Sequence, residues 1–246
     1  MTFFEAVISG IVQGITEFLP VSSSGHLVIL HHMFGVNEPQ VFFDIFLHLG
    51  TLIAIFIVFW RDIVDLFYSK KKNLIPLLIG TIVTVGFVLI FKDSIENIFA
   101  STKIVGFMLI VTGAWLIVGS FIRFGGETLS GFKAAIVGLA QGIASIPGIS
   151  RSGATISTGM FLGLSSKAAA RFSFLLCIPA IIGAFILKAK SGSMEGFNIN
   201  YIVGLITSCI IGVLSLKLLL RMLFKDRLWI FSFYCIILGV VVIFFL

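Results

Sequence analysis

A polar stretch that occurs twice is the feature that most constrains the fold of this chain. The first copy, QGITEFLPVSSSGH, occupies residues 13–26, and the second, QGIASIPGISRSGA, begins 128 residues later at Gln141. In and around these stretches seven positions are identical, which pairs Gly10 with Gly138, Gln13 with Gln141, Gly14 with Gly142, Ile15 with Ile143, Ser22 with Ser150, Ser24 with Ser152 and Gly25 with Gly153. The chain therefore contains an internal duplication.

Both copies lie in a chain that is suited to a lipid environment, since 59% of its 246 residues are hydrophobic and only 11% are charged. A helix needs about 20 apolar residues to cross a bilayer. Six segments are long enough, at about 41–60, 74–91, 104–122, 168–187, 201–220 and 228–246. Lys and Arg stand singly or in short groups between these segments, which argues against nucleic acid as a partner in spite of the net charge of +6. We predict an integral membrane protein.

The two polar stretches interrupt apolar segments that are too short to cross a membrane. The uncharged run between Glu5 and Glu17 has about half the required length, and the apolar run at 27–34 is also short. Irregular backbone inside a membrane is tolerated where protein or a polar cavity covers it. We therefore predict a re-entrant helical hairpin at about 3–35 and a matching hairpin at about 132–164.

The order of hairpins and spans predicts that the two copies are inverted. A hairpin returns to its own side of the membrane, whereas three spans change sides, so the second copy enters from the opposite face. We expect one membrane domain, residues 1–246, with an all-α fold of six transmembrane helices plus two re-entrant helical hairpins in an inverted-topology repeat. Repeat one covers 1–124 and repeat two covers 131–246. In such architectures the broken helices of the two halves meet near the midplane and form the site.

The distribution of Lys and Arg predicts the orientation of this arrangement. Of the 17 residues, twelve fall on one face, namely Arg61, Lys70, Lys71, Lys72, Arg123, Lys133, Lys167, Arg171, Lys217, Arg221, Lys225 and Arg227. Four fall on the other face, namely Lys92, Lys103, Lys188 and Lys190, and Arg151 lies in the second hairpin. The positive-inside rule makes the twelve-residue face cytoplasmic. Both termini and the entrance of the first hairpin are then extracytoplasmic.

The two copies differ at the positions that carry chemistry. Glu17 corresponds to Ser145, Ser23 to Arg151 and His26 to Ala154. One copy holds a carboxylate and an imidazole, and the other holds a guanidinium, so neither is complete alone. Ionisable residues inside a membrane are costly and mark functional sites. The sequence predicts that the two turns meet and share one substrate.

This substrate is predicted to be a phosphate. Half-helices that start near Ser24 and Ser152 would each direct free N–H groups and a positive dipole end at the meeting point. The planar fork of Arg151 suits phosphate oxygens. Two plainer roles stay open: Ser22 and Ser24 as helix caps only, and Gln13 and Gln141 as residues that bond backbone across the broken helices.

Glu17 needs a role of its own, because a carboxylate repels phosphate. It acts as a general base, orients His26, or holds a divalent cation, and the sequence leaves these alternatives open. Ser23 or a water molecule is the nucleophile, His26 passes protons, and Arg151 stabilises the transferring phosphoryl group. Asp44 and His48 lie four residues apart, and either support the site or serve only the structure.

With these motifs, the chain strongly resembles the undecaprenyl-diphosphate phosphatase family of bacteria, also called the bacitracin-resistance protein family. The family's marks are an (E/Q)xxxE segment before a Pro-Val-Ser-Ser-Ser/Thr-Gly-His turn, and a PGxSRSxxT segment. Here they read Gln13-Gly-Ile-Thr-Glu17, Pro20-Val-Ser-Ser-Ser-Gly-His26 and Pro147-Gly-Ile-Ser-Arg-Ser-Gly-Ala-Thr155. The similarity covers essentially the whole chain.

The resemblance implies hydrolysis of undecaprenyl diphosphate to undecaprenyl phosphate and inorganic phosphate, which recycles the lipid carrier of cell-wall synthesis and confers bacitracin resistance. Its catalytic set would be Glu17, Ser23, His26 and Arg151. Its phosphate-binding or supporting residues would be Gln13, Ser22, Ser24, Ser150, Ser152 and Thr155. It also implies a divalent cation, Mg or Ca, with Glu17 as a ligand shared with the substrate phosphate.

The implied location is the bacterial cytoplasmic membrane, with a multi-pass chain, membrane lipid around it and a site open to the outer face. The main alternative function is a lipid-carrier flippase or an anion transporter, because inverted repeats are typical of that class and a fold alone does not define function. The sequence also leaves open whether the chain forms a homodimer.

Overall fold

The fold is all-α, as the sequence predicts. A computed structural model describes residues 1–36, 40–68, 73–98, 101–121, 125–190, 198–223 and 228–246. Within these ranges the chain forms ten helices. They are α1 (Phe3–Thr16), α2 (Ser23–Met33), α3 (Val41–Tyr68), α4 (Leu74–Ile98), α5 (Thr102–Ser120), α6 (Gly131–Ile143), α7 (Arg151–Phe161), α8 (Ser166–Lys190), α9 (Ile199–Leu223) and α10 (Trp229–Phe245).

Five of these helices, α3, α4, α5, α8 and α9, are long and apolar enough to cross a membrane. Each of the six apolar segments predicted to span is helical, and α3, α4, α8 and α9 extend past the predicted ends to 25–28 residues. The sixth, α10, has 17 residues, or about 25 Å at 1.5 Å per residue, against a hydrocarbon core of about 30 Å. The chain is a multi-pass membrane protein by these criteria.

Two pairs of short helices stand where the sequence predicts hairpins. They are α1 with α2 (14 and 11 residues) and α6 with α7 (13 and 11 residues). The first residues of α1 are fixed by a capping box, in which the Thr2 hydroxyl accepts from the Glu5 N–H and the Glu5 carboxylate accepts from the Thr2 N–H. None of the four helices has the length of a span. Their re-entrant course remains a prediction.

Part of the helix packing has a two-fold pattern, although the contact of α3 with α9 is much larger than that of the corresponding pair, α8 and α4. α1 packs on α9, and α6, the helix that corresponds to α1 in the second copy, packs on α4. α5 packs on α10, and α3 packs on α8. When each helix is replaced by its counterpart in the other copy, the pair α1–α9 becomes α6–α4, and the pairs α5–α10 and α3–α8 each become themselves. Such contacts are expected when the two halves of a duplicated chain pack helices against each other.

Small residues allow the closest helix contacts. A Cβ on Gly138 of α6 would lie 2.3 Å from the Gly80 carbonyl oxygen of α4, and the Thr84 hydroxyl donates to the Gly138 carbonyl oxygen at 2.8 Å. On the other side, Gly14 of α1 packs on α9, where the Ser215 hydroxyl donates to its carbonyl oxygen. Close backbone approach with hydroxyl bonds across the contact is typical of helix packing in membranes.

The outer surface of the bundle carries large apolar side chains, among them Ile82, Ile90, Phe107, Phe121, Ile210 and Phe244. Such a surface suits lipid. Six of the basic residues behind the predicted orientation, namely Lys70, Lys71, Lys72, Arg123, Lys225 and Arg227, lie outside the described residues. The orientation therefore rests on the sequence.

We expect Gly138→Ala to lower the free energy of unfolding by about 1–3 kcal/mol, the usual cost of overpacking, although alanine is the better helix former by about 1 kcal/mol. The added methyl group meets the backbone of Gly80. Gly86→Ala is the matched control, because nothing lies within 4 Å of its Cβ position. The measurement is thermal unfolding in detergent. Equal stability of the two variants would contradict this account of the α4–α6 contact.

Candidate functional site

The carboxylate of Glu17 lies at the C-terminal end of α1 and is buried, with 3% of its side chain exposed. Gln13 precedes it by one helical turn, and its Nε2 donates to Glu17 Oε2 at 2.9 Å. Residues four apart lie on one face of a helix. Gln13 therefore serves the carboxylate, and the alternative in which it bonds backbone is not what the structure shows.

The turn from α1 to α2, residues 17–22, is called the first elbow. Its last residue, Ser22, has φ +69°, the one left-handed value at a non-glycine residue in the described chain. The Ser22 hydroxyl accepts from the Gly25 N–H at 3.3 Å and so caps α2. This turn brings the first residue of α2, Ser23, back to the end of α1, where its hydroxyl donates to Glu17 Oε2 at 2.5 Å.

The second elbow, residues 144–150, joins α6 to α7. Ser150 caps α7 through a bond from the Gly153 N–H at 3.1 Å. Thr112 of α5 fixes this elbow, because its hydroxyl accepts from the Ser150 N–H at 3.0 Å and donates to the Gly148 carbonyl oxygen at 2.8 Å. Arg151 is the first residue of α7, so its side chain extends from a backbone that these hydrogen bonds hold in place.

The two elbows meet, as the sequence predicts. Arg151 Nη1 donates to Glu17 Oε1 at 2.9 Å, across 134 residues of sequence. The Ser152 hydroxyl donates to the Leu19 carbonyl oxygen at 3.3 Å, and a Cβ on Gly25 would lie 3.1 Å from Gly148 Cα. Glu17 therefore joins groups from both copies in one buried cluster.

Helix α8 supports Arg151 from the side. The thiol sulfur of Cys177 accepts a bond from Arg151 Nη1. The Thr155 hydroxyl donates to the Arg151 carbonyl oxygen at 2.7 Å and lies 2.5 Å from the Ser173 hydroxyl. Thr155 thus ties the first turn of α7 to α8, which is a supporting role.

A second histidine faces the carboxylate. His48 of α3 places Nε2 3.5 Å from Glu17 Oε2, and its Nδ1 lies 2.7 Å from the Asp44 carbonyl oxygen. Of the pair weighed in the sequence, His48 thus contacts the site directly. The Asp44 carboxylate instead lies 3.7 Å from His31 Nε2.

His26 has other partners. Its Nδ1 lies 2.7 Å from the Ser22 carbonyl oxygen, and its Nε2 lies 2.7 Å from the hydroxyl of Tyr234 on α10. Both ring nitrogens are therefore occupied, so Glu17 is not the group that orients His26. The ring belongs to the same first turn of α2 as Ser23, one helical turn from the elbow.

The remaining predicted residues are serines that pair with each other within each copy, and a glutamine, Gln141, whose partners differ from those of Gln13. The Ser24 hydroxyl lies 3.4 Å from that of Ser22, and Ser150 and Ser152 form the same pair at 3.3 Å in the second copy. Gln141, the counterpart of Gln13, donates to Thr84 Oγ1 and the Leu176 carbonyl oxygen. The copies have therefore diverged in use: Gln13 serves the carboxylate, whereas Gln141 holds helices together.

Several contacting residues escape a reading of the motifs, namely Thr112, Ser173, Cys177 and Tyr234. Each lies in a largely apolar helix outside the motifs, and none has a spacing that relates it to the elbows. Tyr234 carries one usable signal, because it is the one tyrosine in the apolar run Trp229–Phe245. The sequence does not show which residue the phenol contacts, because that depends on how α10 packs.

The site is suited to an anion. The N-termini of α2 and α7 meet there, and each offers free N–H groups and a positive dipole end. The Arg151 side chain is 26% exposed, whereas that of Glu17 is 3% exposed. Arg151 is therefore the more exposed partner of the ion pair.

The donor set does not fit a resident divalent cation. Glu17 Oε1 accepts from Arg151, and Oε2 accepts from Gln13 and Ser23. Mg and Ca need several oxygen ligands, whereas both oxygens of this carboxylate already accept hydrogen bonds. No group of three or more His, Cys, Asp or Glu side chains that could hold a metal occurs in the part of the chain that the structure describes.

The fold defines a multi-pass helical membrane protein, and its two elbows form a buried cluster of Glu17, Ser23 and Arg151. The sequence model of BacA, bacitracin resistance protein, matches residues 6–241, and the chain belongs to this family.

Among its relatives, an undecaprenyl-diphosphatase of Halothermothrix orenii is 42% identical, over 99% of this chain and 98% of its own length. The undecaprenyl-diphosphatase of Carboxydothermus hydrogenoformans is 43% identical, over 99% and 97%. That of Desulfosudis oleivorans is 42% identical, over 96% and 95%. The similarity thus extends over nearly the whole chain.

A double-mutant cycle tests the contact between the elbows. We expect Glu17→Gln and Arg151→Met each to cost about 3–5 kcal/mol of unfolding free energy, because each leaves a buried charge unpaired. The double variant should cost at least about 1 kcal/mol less than the sum. The control cycle uses Asp62 and Arg171, a more exposed pair at 2.7 Å, whose coupling should stay below about 1 kcal/mol. Additive losses for Glu17 and Arg151 would contradict the observed ion pair.

Proposed function

We propose that the protein is an undecaprenyl-diphosphatase, which hydrolyses undecaprenyl diphosphate to undecaprenyl phosphate and inorganic phosphate. The observation that carries the proposal is the buried chain Ser23–Glu17–Arg151, which places a hydroxyl, a base and a cation in contact at two helix N-termini. The names of the relatives point to the same reaction. Return of the lipid carrier to cell-wall synthesis, and tolerance of bacitracin, follow from this activity.

In this proposal Arg151 and the two helix N-termini bind the diphosphate. The guanidinium bonds phosphoryl oxygens as a planar fork, and the N–H groups at the starts of α2 and α7 add donors. Ser22, Ser24, Ser150 and Ser152 shape these N-termini by capping and pairing. Phosphoryl transfer depends mainly on such positioning and charge stabilisation.

Ser23 is the nucleophile in this mechanism. Its hydroxyl already donates to Glu17 at 2.5 Å, so Glu17 takes the proton as Oγ attacks the terminal phosphorus. The bond to the bridging oxygen breaks, and undecaprenyl phosphate leaves with the proton from Glu17. Water then attacks the phosphoserine, gives its proton to Glu17 and releases inorganic phosphate, and the serine oxygen recovers a proton from Glu17. His26 passes protons at the edge of the site.

Membrane topology forms part of the proposal. We place α1–α2 and α6–α7 as re-entrant hairpins from opposite leaflets and the other six helices as spans, in repeats 1–124 and 131–246. The two-fold packing pattern and the short paired helices support this arrangement. Loop charges support extracytoplasmic termini and a site that opens to the outer face of the bacterial inner membrane.

In this scheme any divalent cation enters with the substrate, because both oxygens of the Glu17 carboxylate already accept hydrogen bonds from neighbouring side chains. Mg and Ca both bind phosphate oxygens readily, so a requirement for Mg or Ca would belong to the diphosphate. A homodimer is not needed for catalysis, because both elbows belong to one chain.

Phosphate release by the purified protein from farnesyl diphosphate tests the activity. We expect Arg151→Ala to lower kcat by about two to four orders of magnitude, since a cation at the transferring phosphoryl group contributes about that much. Arg171→Ala is the control, because this arginine pairs with Asp62 outside the site, and it should retain the activity of the unmodified protein. Lipid binding without phosphate release would favour a flippase or transporter.

Trapping of the intermediate tests the nucleophile. Rapid acid quench with substrate labelled in the terminal phosphate should leave label on the protein, and Ser23→Ala should abolish both the label and the turnover. Ser120→Ala serves as a control, because its hydroxyl bonds only within α5. Turnover by the unmodified protein with no label, together with residual turnover by Ser23→Ala, would assign the attack to water.

A further inference from the structure

The two hydrogen bonds of His26 indicate which tautomer the neutral ring adopts. A carbonyl oxygen only accepts, so the contact of 2.7 Å between Nδ1 and the Ser22 carbonyl oxygen requires a proton on Nδ1. In the neutral ring Nε2 is then an acceptor, and the Tyr234 hydroxyl, 2.7 Å away, is its donor. The tautomer is thus assigned from the bonding network.

Tyr234 fixes the orientation of the ring as well as its tautomer. The two rings are parallel, with an interplanar angle of 5° and centroids 5.7 Å apart. Next to Tyr234, the thiol of Cys235 donates to the Pro20 carbonyl oxygen at 3.6 Å. Two successive residues of α10 therefore contact this region: Cys235 bonds the backbone of the first elbow, and Tyr234 bonds His26 in the first turn of α2.

We propose that Tyr234 is a positioning residue for His26. Its hydroxyl donates to Nε2, and its ring holds the imidazole plane. Because Nδ1 already carries a proton, any proton that His26 accepts enters at Nε2 in exchange for the bond from the phenol, so Tyr234 sets both the position and the basicity of that nitrogen. The inference rests on the proposed function, in which His26 passes protons.

The sequence alone does not suggest that Tyr234 contacts His26. Tyr234 lies 208 residues after His26, on a helix that has neither elbow motif. α10 packs on α5 and also bonds the first elbow at Pro20, and this position brings the phenol to the imidazole. One contribution to the site thus comes from the last helix of the chain.

The first test is spectroscopic and independent of turnover. The protein has four histidines, and nitrogen-15 labelling of their rings, with His26→Ala for assignment, resolves the two nitrogens of His26. We expect Nδ1 to carry the proton and Nε2 to be a hydrogen-bonded acceptor. In Tyr234→Phe, which retains the stacked ring, the Nε2 resonance should move toward that of a free acceptor. A proton on Nε2 of the unmodified protein, or an unchanged Nε2 resonance in the variant, would overturn the inference.

The second test is kinetic. Tyr234→Phe should lower kcat for farnesyl diphosphate roughly tenfold to a hundredfold with KM nearly unchanged, a smaller loss than that of His26→Ala. In the His26→Ala background Tyr234→Phe should add no further loss. Tyr68→Phe is the matched control, since this exposed phenol lies at the end of α3.

The outcomes separate the inference from the proposed function. Absence of phosphate release by the unmodified protein would refute the diphosphatase while the spectroscopic test still decides the role of Tyr234. A normal kcat in Tyr234→Phe, alongside a large loss in His26→Ala, would refute the positioning role and leave the diphosphatase intact. An equal loss from Tyr234→Phe in both backgrounds would also refute it, because the phenol would then act without the imidazole.

Discussion

The ion pair between Glu17 and Arg151 is the contact on which the rest of the structure depends. Each group is a charge that a membrane interior excludes unless a partner is present. The partners come from different copies of the duplicated motif, so loss of either one leaves the other charge without its ion-pair partner. The pair therefore holds the two elbows together, and the proposed anion site depends on that contact.

The sequence predicts the helical class, the six long apolar segments, both elbows and the contact of Glu17 with Arg151. These depend on local signals: run length, the breaks at Pro20 and Pro147, and the cost of charge in an apolar chain. Duplication adds a relation between distant parts, because two incomplete copies imply one shared site. These signals are sufficient to predict the helical class and the contact between the two elbows.

Lateral packing is what the sequence does not reveal. Cys177 and Tyr234 reach the site from α8 and α10 and lie in no motif, whereas His48 of α3 is singled out by its spacing from Asp44. Their rotation toward the elbows depends on where small residues let helices approach, a property of helix pairs and not of any one segment. The supporting residues are hidden for this reason, whereas the motif residues are not.

The left-handed backbone of Ser22 has a consequence for how a ligand is received. A non-glycine residue in this conformation costs about 1–3 kcal/mol, and the surrounding capping bonds and the His26 contact keep it in place. That free energy is spent when the chain folds. In the proposed function, the binding free energy of a phosphate ligand would then not be needed to bring Ser22 into this conformation.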